Sequence, residues 1–237
     1  MTSGEHAAPL LLVESDRRIG EALAEQLLAD GFNVALARSA EHARVLAGTS
    51  APRLALLGRL EDRRGALELL REIRQAGAQG TPWDQALPAI VLGTPARELD
   101  MLRAFEAGAD DFLARPATYL ELRARLRAIL RRSASSPELV RLLEVGPLAI
   151  DTVAHVVTLD GQCVDLRRME FELLVHLARE PERVFAKAEL LRAVWGYRSG
   201  GSTRTLDSHA SRLRRKLAPA GERRWVISVW GVGYRLI

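Results

Sequence analysis

Thr203-Arg-Thr-Leu-Asp-Ser-His-Ala-Ser-Arg-Leu-Arg-Arg-Lys-Leu217, followed by Ser228-Val-Trp-Gly-Val-Gly-Tyr-Arg235, is the stretch on which the reading of this chain turns. Wound at about 100° per residue, Thr203–Leu217 gathers Leu206, Ala210, Leu213 and Leu217 into one narrow apolar stripe. Arg204, Ser208, Ser211, Arg212 and Arg215 cluster on the opposite side, flanked by His209, Arg214 and Lys216. Cations attract phosphate and fork onto guanine edges, while small hydroxyls let a helix approach the floor of a major groove. The alternative for such a segment is a solvated basic helix.

Upstream, Glu170–Ala178 carries Phe171, Leu174, Val175 and Ala178 at helical spacing, and Pro181 interrupts it. Lys187–Trp195 supplies a second amphipathic helix ending at Gly196. Val145–Leu166 alternates in short strand-like pieces, with Asp160-Gly161 as the strongest hairpin signal, because both turn positions want positive φ. The order is strands, three helices, hairpin.

This order, with Leu166-Arg-Arg-Met-Glu-Phe-Glu-Leu-Leu, Val194-Trp-Gly-Tyr, Arg204-Thr-Leu-Asp-Ser-His-Ala-Ser-Arg-Leu-Arg-Arg-Lys-Leu and Gly231-Val-Gly-Tyr-Arg, resembles the winged-helix effector domain of OmpR/PhoB-type response regulators. The resemblance implies that Thr203–Leu217 is the recognition helix, Trp225–Leu236 the wing, and Gly196–Ser202 the loop through which such proteins touch RNA polymerase. It assigns base and phosphate contacts to Arg212 and Arg214 and backbone contacts to Thr205 and His209, with Tyr234 and Arg235 in the wing. The chain departs from the family at Trp230, where an arginine is common, and at Ser208 and Ser211. Trp230 is expected either to pack against the domain or to act on DNA as a stacking or minor-groove wedge.

The first half alternates β-like and helical runs: Leu10–Val13 and Ile19–Leu28, Asn33–Ala37 and Ala40–Ala47, Leu54–Leu57 and Ala66–Ile73, Ala89–Leu92 and Leu99–Ala107, Asp111–Leu113 and Leu120–Leu130. Five βα units predict a doubly wound, five-stranded parallel sheet. Together with Gly108-Ala-Asp-Asp-Phe-Leu-Ala-Arg-Pro they resemble a flavodoxin-like receiver domain. The expected division is a receiver-like domain over 1–132, a linker over 133–143 containing Ser133-Ala-Ser-Ser-Pro, and the winged-helix domain over 144–237.

A receiver of this family takes a phosphoryl group on an aspartate, with Mg²⁺ held by acids nearby and Ser/Thr and Lys residues reading the product. Matched to those positions, this chain keeps Glu14 but has Ser15 at the second acid, with Asp16 as a partial substitute. Gly58 stands where the phosphoacceptor belongs, Gly93 at the hydroxyl position with Thr94 one residue late, and Arg115 at the lysine. Glycine has no nucleophile, and a guanidinium is a poor stand-in for a compact ammonium. No aspartyl phosphorylation and no cofactor are therefore expected, and Phe112 at the switch position lacks its trigger. Glu61 and Asp62 are ordinary loop acids or fallback acceptors. Gly58 and Gly93 are expected to open space in the pocket, where a small molecule would bind as a replacement signal.

The family's dimer face, formed by the fourth and fifth receiver helices and the strand between them, would comprise Arg103, Glu106, Asp110, Asp111, Glu121, Leu122 and Arg125. Arg103 with Glu121, and Asp110 or Asp111 with Arg125, are the expected cross-subunit pairs; the alternative is a solvated surface. Ala76–Pro88 lengthens one connection and contains Trp83, expected to form a local lid.

Composition agrees with a two-domain cytoplasmic protein. Of 237 residues, 48% are apolar, without a run long enough to span a bilayer and without an export signal at Met1–Pro9. The net charge of +4 lies entirely in residues 137–237, with 16 Lys+Arg against 12 Asp+Glu, because residues 1–136 balance at 18 each. Positive charge sits where duplex DNA would be. The lone Cys163 excludes an intramolecular disulfide and a thiolate metal cluster and is expected to be a buried strand residue. The five histidines are scattered and no nucleophile–base pattern stands out, so an enzyme is not expected. Two readings remain: a DNA-binding transcription regulator independent of aspartyl phosphorylation, or a receiver that senses a small molecule or protein partner and so controls DNA binding.

Overall fold

Along the strands of the first half, alternate side chains go to opposite faces of one sheet. Leu11, Val13, Ala55, Leu57, Ala89 and Val91 enter one core, and Leu10, Leu12, Leu54, Leu56, Ile90 and Leu92 another. A sheet buried on both sides needs apolar residues at both phases of the pleat, which is why these strands read as continuous Leu/Ala/Val runs. The computed structural model describes residues 9–60, 65–76, 81–93, 98–134, 142–197, 203–218 and 224–237. The chain divides into two compact units, Met1–Arg131 and Arg132–Ile237.

In the first unit, β1 (Pro9–Val13), β2 (Asn33–Ala37), β3 (Leu54–Leu57), β4 (Ala89–Gly93) and β5 (Asp111–Ala114) form a parallel sheet of order β2-β1-β3-β4-β5. Helices α1 (Arg17–Ala29) and α5 (Tyr119–Ala134) supply Ala24, Leu27, Leu122, Leu126 and Ile129 to one core. Helices α2 (Ala40–Ser50), α3 (Gly65–Arg74) and α4 (Glu98–Ala107) supply Ala43, Ala47, Leu69, Leu70, Ile73, Ala104 and Phe105 to the other. Asp16 and Ser39 start α1 and α2 by accepting from the backbone N–H of Ile19 and His42. Asp16 thereby caps α1, and its own N–H donates to Glu14 Oε1. Trp83 packs as expected, buried and donating to Glu72 Oε1 at 2.8 Å, although residues 77–80 of that connection lie outside the described residues.

In the second unit, β6 (Leu142–Val145), β7 (Leu148–Asp151), β8 (Val156–Leu159) and β9 (Gln162–Cys163) form an antiparallel meander. Its β8–β9 turn has φ of 51° at Asp160 and 74° at Gly161, as the Asp-Gly pair predicts. Then follow α6 (Arg168–Ala178), β10 (Phe185–Ala186), α7 (Lys187–Trp195), α8 (Thr203–Leu217), β11 (Ile227–Val229) and β12 (Gly233–Arg235). Gly196 closes α7 in the left-handed conformation, and β10-β12-β11 make a small sheet. Cys163 corrects the expectation of burial: on the last strand of the meander it is exposed.

His176 of α6 lies 4.9 Å from the Phe185 ring, and burial, reinforced by Arg179, lowers its pKa from 6.5. The folded state therefore favours neutral imidazole. The stability this gives is present above pH 6.5 and is lost as pH falls below it, because the unfolded chain takes the proton first. The melting midpoint of the winged unit should drop as pH falls below 6.5, and His176→Phe should flatten that drop.

Candidate nucleic-acid interface and receiver pocket

Helix α8 is clamped by α6 and α7, and its buried arc is wider than the stripe of Leu206, Ala210, Leu213 and Leu217. Thr205, His209 and Arg212 at i, i+4 and i+7 are buried too. Arg212 turns toward Glu170 of α6, which is fully buried, and His209 toward Trp195 of α7, whose ring lies 5.3 Å away. Arg212 Nε lies 3.9 Å from Glu170 Oε1, and Arg212 also meets Ser208 O at 3.3 Å and His209 Nδ1 at 3.4 Å. Lys216 Nζ donates to Glu170 Oε2 at 2.7 Å and to the Asp165 carbonyl at 2.7 Å. A buried carboxylate demands cations, and this one takes two from α8. His209, Arg212 and Lys216, expected as DNA contacts, thus help seat the helix on α6 and α7, and Thr205 is buried in the same arc.

What faces outward is a straight stripe at i, i+4, i+7 and i+11: Arg204, Ser208, Ser211 and Arg215. Ser208 is half-buried and the other three are exposed. Over that span the stripe is about 16 Å long. Arg214 borders it, is exposed, and donates through Nε and Nη2 to the Val226 carbonyl at 2.9 and 2.7 Å, tying the hairpin to the helix.

Tyr234 is likewise corrected, because its ring is buried and its hydroxyl donates to Asp207 Oδ1 at 2.7 Å. Burial first, and that hydrogen bond second, raise its pKa well above 10. Lys187 pairs with the same carboxylate at 2.7 Å, so Asp207 fastens α7, α8 and β12 together. Arg235 is half-buried. Gly231 has φ of 72°, and Val232 N–H closes the β11–β12 turn onto the Val229 carbonyl at 3.0 Å. Trp230, at that tip, is 97% exposed, which overturns the expectation that it packs against the domain. Of the Gly196–Ser202 loop, residues 198–202 lie outside the described residues.

At the carboxyl ends of the receiver strands, Glu14 follows β1 and is fully buried. Its Oε2 accepts from Arg115 Nη1 at 2.8 Å and from Arg59 N–H at 3.3 Å, and its Oε1 from Asp16 N–H at 3.1 Å. Gly58 lies directly against this pair: a Cβ there would be 2.5 Å from Glu14 Oε2, 2.9 Å from the Val13 carbonyl and 3.2 Å from Arg115 Nη2. At Gly93 a Cβ would overlap the Phe112 ring. The space expected at both glycines is thus taken, by an ion pair at one and an aromatic ring at the other, which removes the basis for a small-molecule site there. Ser15 beside them is half-buried, and Thr94, Glu61 and Asp62 lie outside the described residues. A magnesium site does not fit these donors: the one buried carboxylate is engaged by a guanidinium, and no group of three metal-ligating side chains occurs among the described residues.

The expected dimer face is corrected in part. Arg125 Nη1 binds Asp111 at 2.8 Å and its Nη2 binds Glu121 at 2.6 Å within the same chain, and Arg74 Nη2 binds Asp110 at 2.8 Å. Asp110, Asp111, Leu122 and Arg125 are all buried, so they brace α3, β5 and α5 internally. Arg103, Glu106 and Glu121 remain exposed, and Arg103 lies 3.6 Å from Asp100. With Leu99 and Leu102, Arg103 and Glu106 form an exposed stripe on α4 at i, i+3, i+4 and i+7.

Comparison with known proteins agrees with this architecture. Residues 161–236 match the family model of the C-terminal domain of transcriptional regulatory proteins. The chain is 34% identical over 227 residues to the DNA-binding response regulator MtrA of Mycolicibacterium smegmatis, covering 95% of each chain. It is 33% identical over 236 residues to the transcriptional regulatory protein ResD of Bacillus subtilis, covering 95% of this chain and 94% of ResD. A solved RitR variant shares the fold, with a TM-score of 0.72 at 24% identity over 98% of this chain and 99% of that one. Among the described residues no helix is long and apolar enough to cross a membrane. The chain belongs to the OmpR/PhoB-type response regulators, DNA-binding transcription regulators rather than enzymes.

Proposed function

We propose that this regulator binds its operators without aspartyl phosphorylation, as a dimer held by its receiver unit. The observation that carries the reading is the Arg115–Glu14 ion pair at 2.8 Å, lying against Gly58. It joins a carboxylate and a guanidinium in the cleft where receivers of this family place a phosphorylated aspartate; glycine at the acceptor position has no nucleophile, and the buried acid beside it is already paired. Phe112, seated over Gly93, has no neighbouring hydroxyl at that residue to respond to. The receiver then contributes a fixed surface, and the exposed α4 stripe of Leu99, Leu102, Arg103 and Glu106, with Leu120 and Glu121 of α5, is the surface best suited to a second copy. Two linked effector units gain effective concentration on paired half-sites.

Selection of bound sequences from a random duplex pool by the full chain, without any phosphodonor, should enrich one motif. Acetyl phosphate with Mg²⁺ should leave intact mass and affinity unchanged. Enrichment only after treatment with the phosphodonor would overturn the reading. Leu102→Glu with Leu120→Glu should convert the dimer to monomer in analytical ultracentrifugation, with folding retained.

Arg204→Ala and Arg215→Ala should each weaken binding to the selected duplex by about 1–3 kcal/mol if they read bases, at unchanged melting temperature. Arg212→Ala should instead lower the melting temperature, because it removes a cation from buried Glu170.

A further inference from the structure

The wing tip spends an aromatic side chain in water. Trp230 is 97% exposed and Val232 beside it 50%, while Trp83, Trp195 and Trp225 are 6%, 1% and 2% exposed. Roughly 150–250 Å² of ring surface is normally used to fill a core or an interface. The turn does not require this side chain: it is fixed by Gly231 in its left-handed conformation and by the Val232–Val229 hydrogen bond. Nor is the tip loosely hung. Gly233 packs so closely on β10 that a Cβ would overlap the Phe185 carbonyl, and Tyr234 is bonded to Asp207 of α8. Trp230 is thus carried on the turn directly after Val229, which pairs with Gly233, next to an anchor that belongs to the recognition helix itself. The helix presents Arg204 and Arg215, so a polyanion drawn to it also meets the tip.

We infer that Trp230 is an apolar wedge that enters the minor groove of the bound duplex and unstacks a base step there, making affinity depend on how easily that step deforms. The inference deepens the proposed DNA-binding reading and rests on it. An indole offers one N–H and a flat apolar face. It cannot neutralise a phosphate, but it can stack on bases and hold open a kink. Pyrimidine–purine steps unstack most readily, so the duplex preferred by this chain should carry TA or CA/TG where the wing lands.

The exposure pattern supplies the measurement. Because the other three tryptophans are buried, acrylamide quenching of the full chain reports mainly Trp230. Saturation with the duplex selected from the random pool should lower the quenching constant severalfold. Trp230→Ala should leave melting unchanged, weaken binding on the order of 10- to 100-fold and keep the same salt slope, since an apolar contact releases no counterions. Trp230→Arg should recover much of the affinity while steepening the salt slope by about one. Replacing the TA or CA step by a GC step should weaken the native chain but not Trp230→Ala.

If the duplex binds yet acrylamide reaches Trp230 as before, and Trp230→Ala binds within about twofold of the native chain, the wedge is wrong and the DNA-binding reading stands. If the pool yields no bound duplex at all, both fail.

Discussion

Glu170→Ala should lower the stability of the winged unit by about 3–5 kcal/mol, and its melting midpoint by more than about 10 °C. Glu170 is fully buried, and its carboxylate holds Lys216 at 2.7 Å and the Arg167 N–H at 2.9 Å, with Arg212 at 3.9 Å. Removing it leaves Arg212, 7% exposed, without its carboxylate neighbour. It also strips the first turn of α6 of the carboxylate that accepts from the Arg167 N–H. Since α8 is seated through this carboxylate, DNA binding should be lost together with the fold near the new midpoint and not below it. Calorimetry and binding measured on one temperature series check this, and a stable but non-binding Glu170→Ala would refute it.

Arg115→Ala is the counterpart in the receiver. Glu14 has no exposed surface, and Arg115 supplies its ion pair at 2.8 Å from a position about a quarter exposed. Stranding the carboxylate should cost about 2–4 kcal/mol, toward the lower part of the range for buried pairs because solvent reaches the arginine. Glu14→Gln combined with Arg115→Ala should recover part of the loss, since a neutral amide needs no counter-charge. Full additivity of the two changes would mean the pair is not a unit. If the ion pair is what makes phosphate unnecessary, Gly58→Asp should also be destabilising, because its Cβ would sit 2.5 Å from Glu14 Oε2, and acetyl phosphate should not rescue it.

Much of this architecture could be read from the chain because it rests on local chemistry. Asp160-Gly161 fixes a hairpin through two positive φ angles, Gly196 ends α7, and apolar runs at both pleat phases demand a sheet covered on two sides. The side-chain assignments on α8 were less legible. A helical wheel separates Leu206 from Arg212, but the partner of a polar residue lies on another element. Nothing in the helix says that Glu170, 42 positions earlier, will draw Arg212 and Lys216 inward. The same blind spot made Asp111 and Arg125 look like cross-subunit partners when they meet within one chain at 2.8 Å. At Gly58 and Gly93 the lost side chains were evident, whereas the groups that moved into their volume were not, since filling a void is a property of packing density rather than of spacing. Trp230 departs from expectation for the opposite reason: aromatic residues usually fill cores, and only the turn geometry puts this one in water.

Asp207 receives both the Lys187 ammonium and the Tyr234 hydroxyl, each at 2.7 Å. With Arg214 on the Val226 carbonyl, this carboxylate sets the span from helix to hairpin, and the protein offers its target a rigid calliper. Any duplex that engages both jaws must meet that opening through its own twist and groove width, so base pairs lying between the two contacts will influence affinity although no side chain touches them.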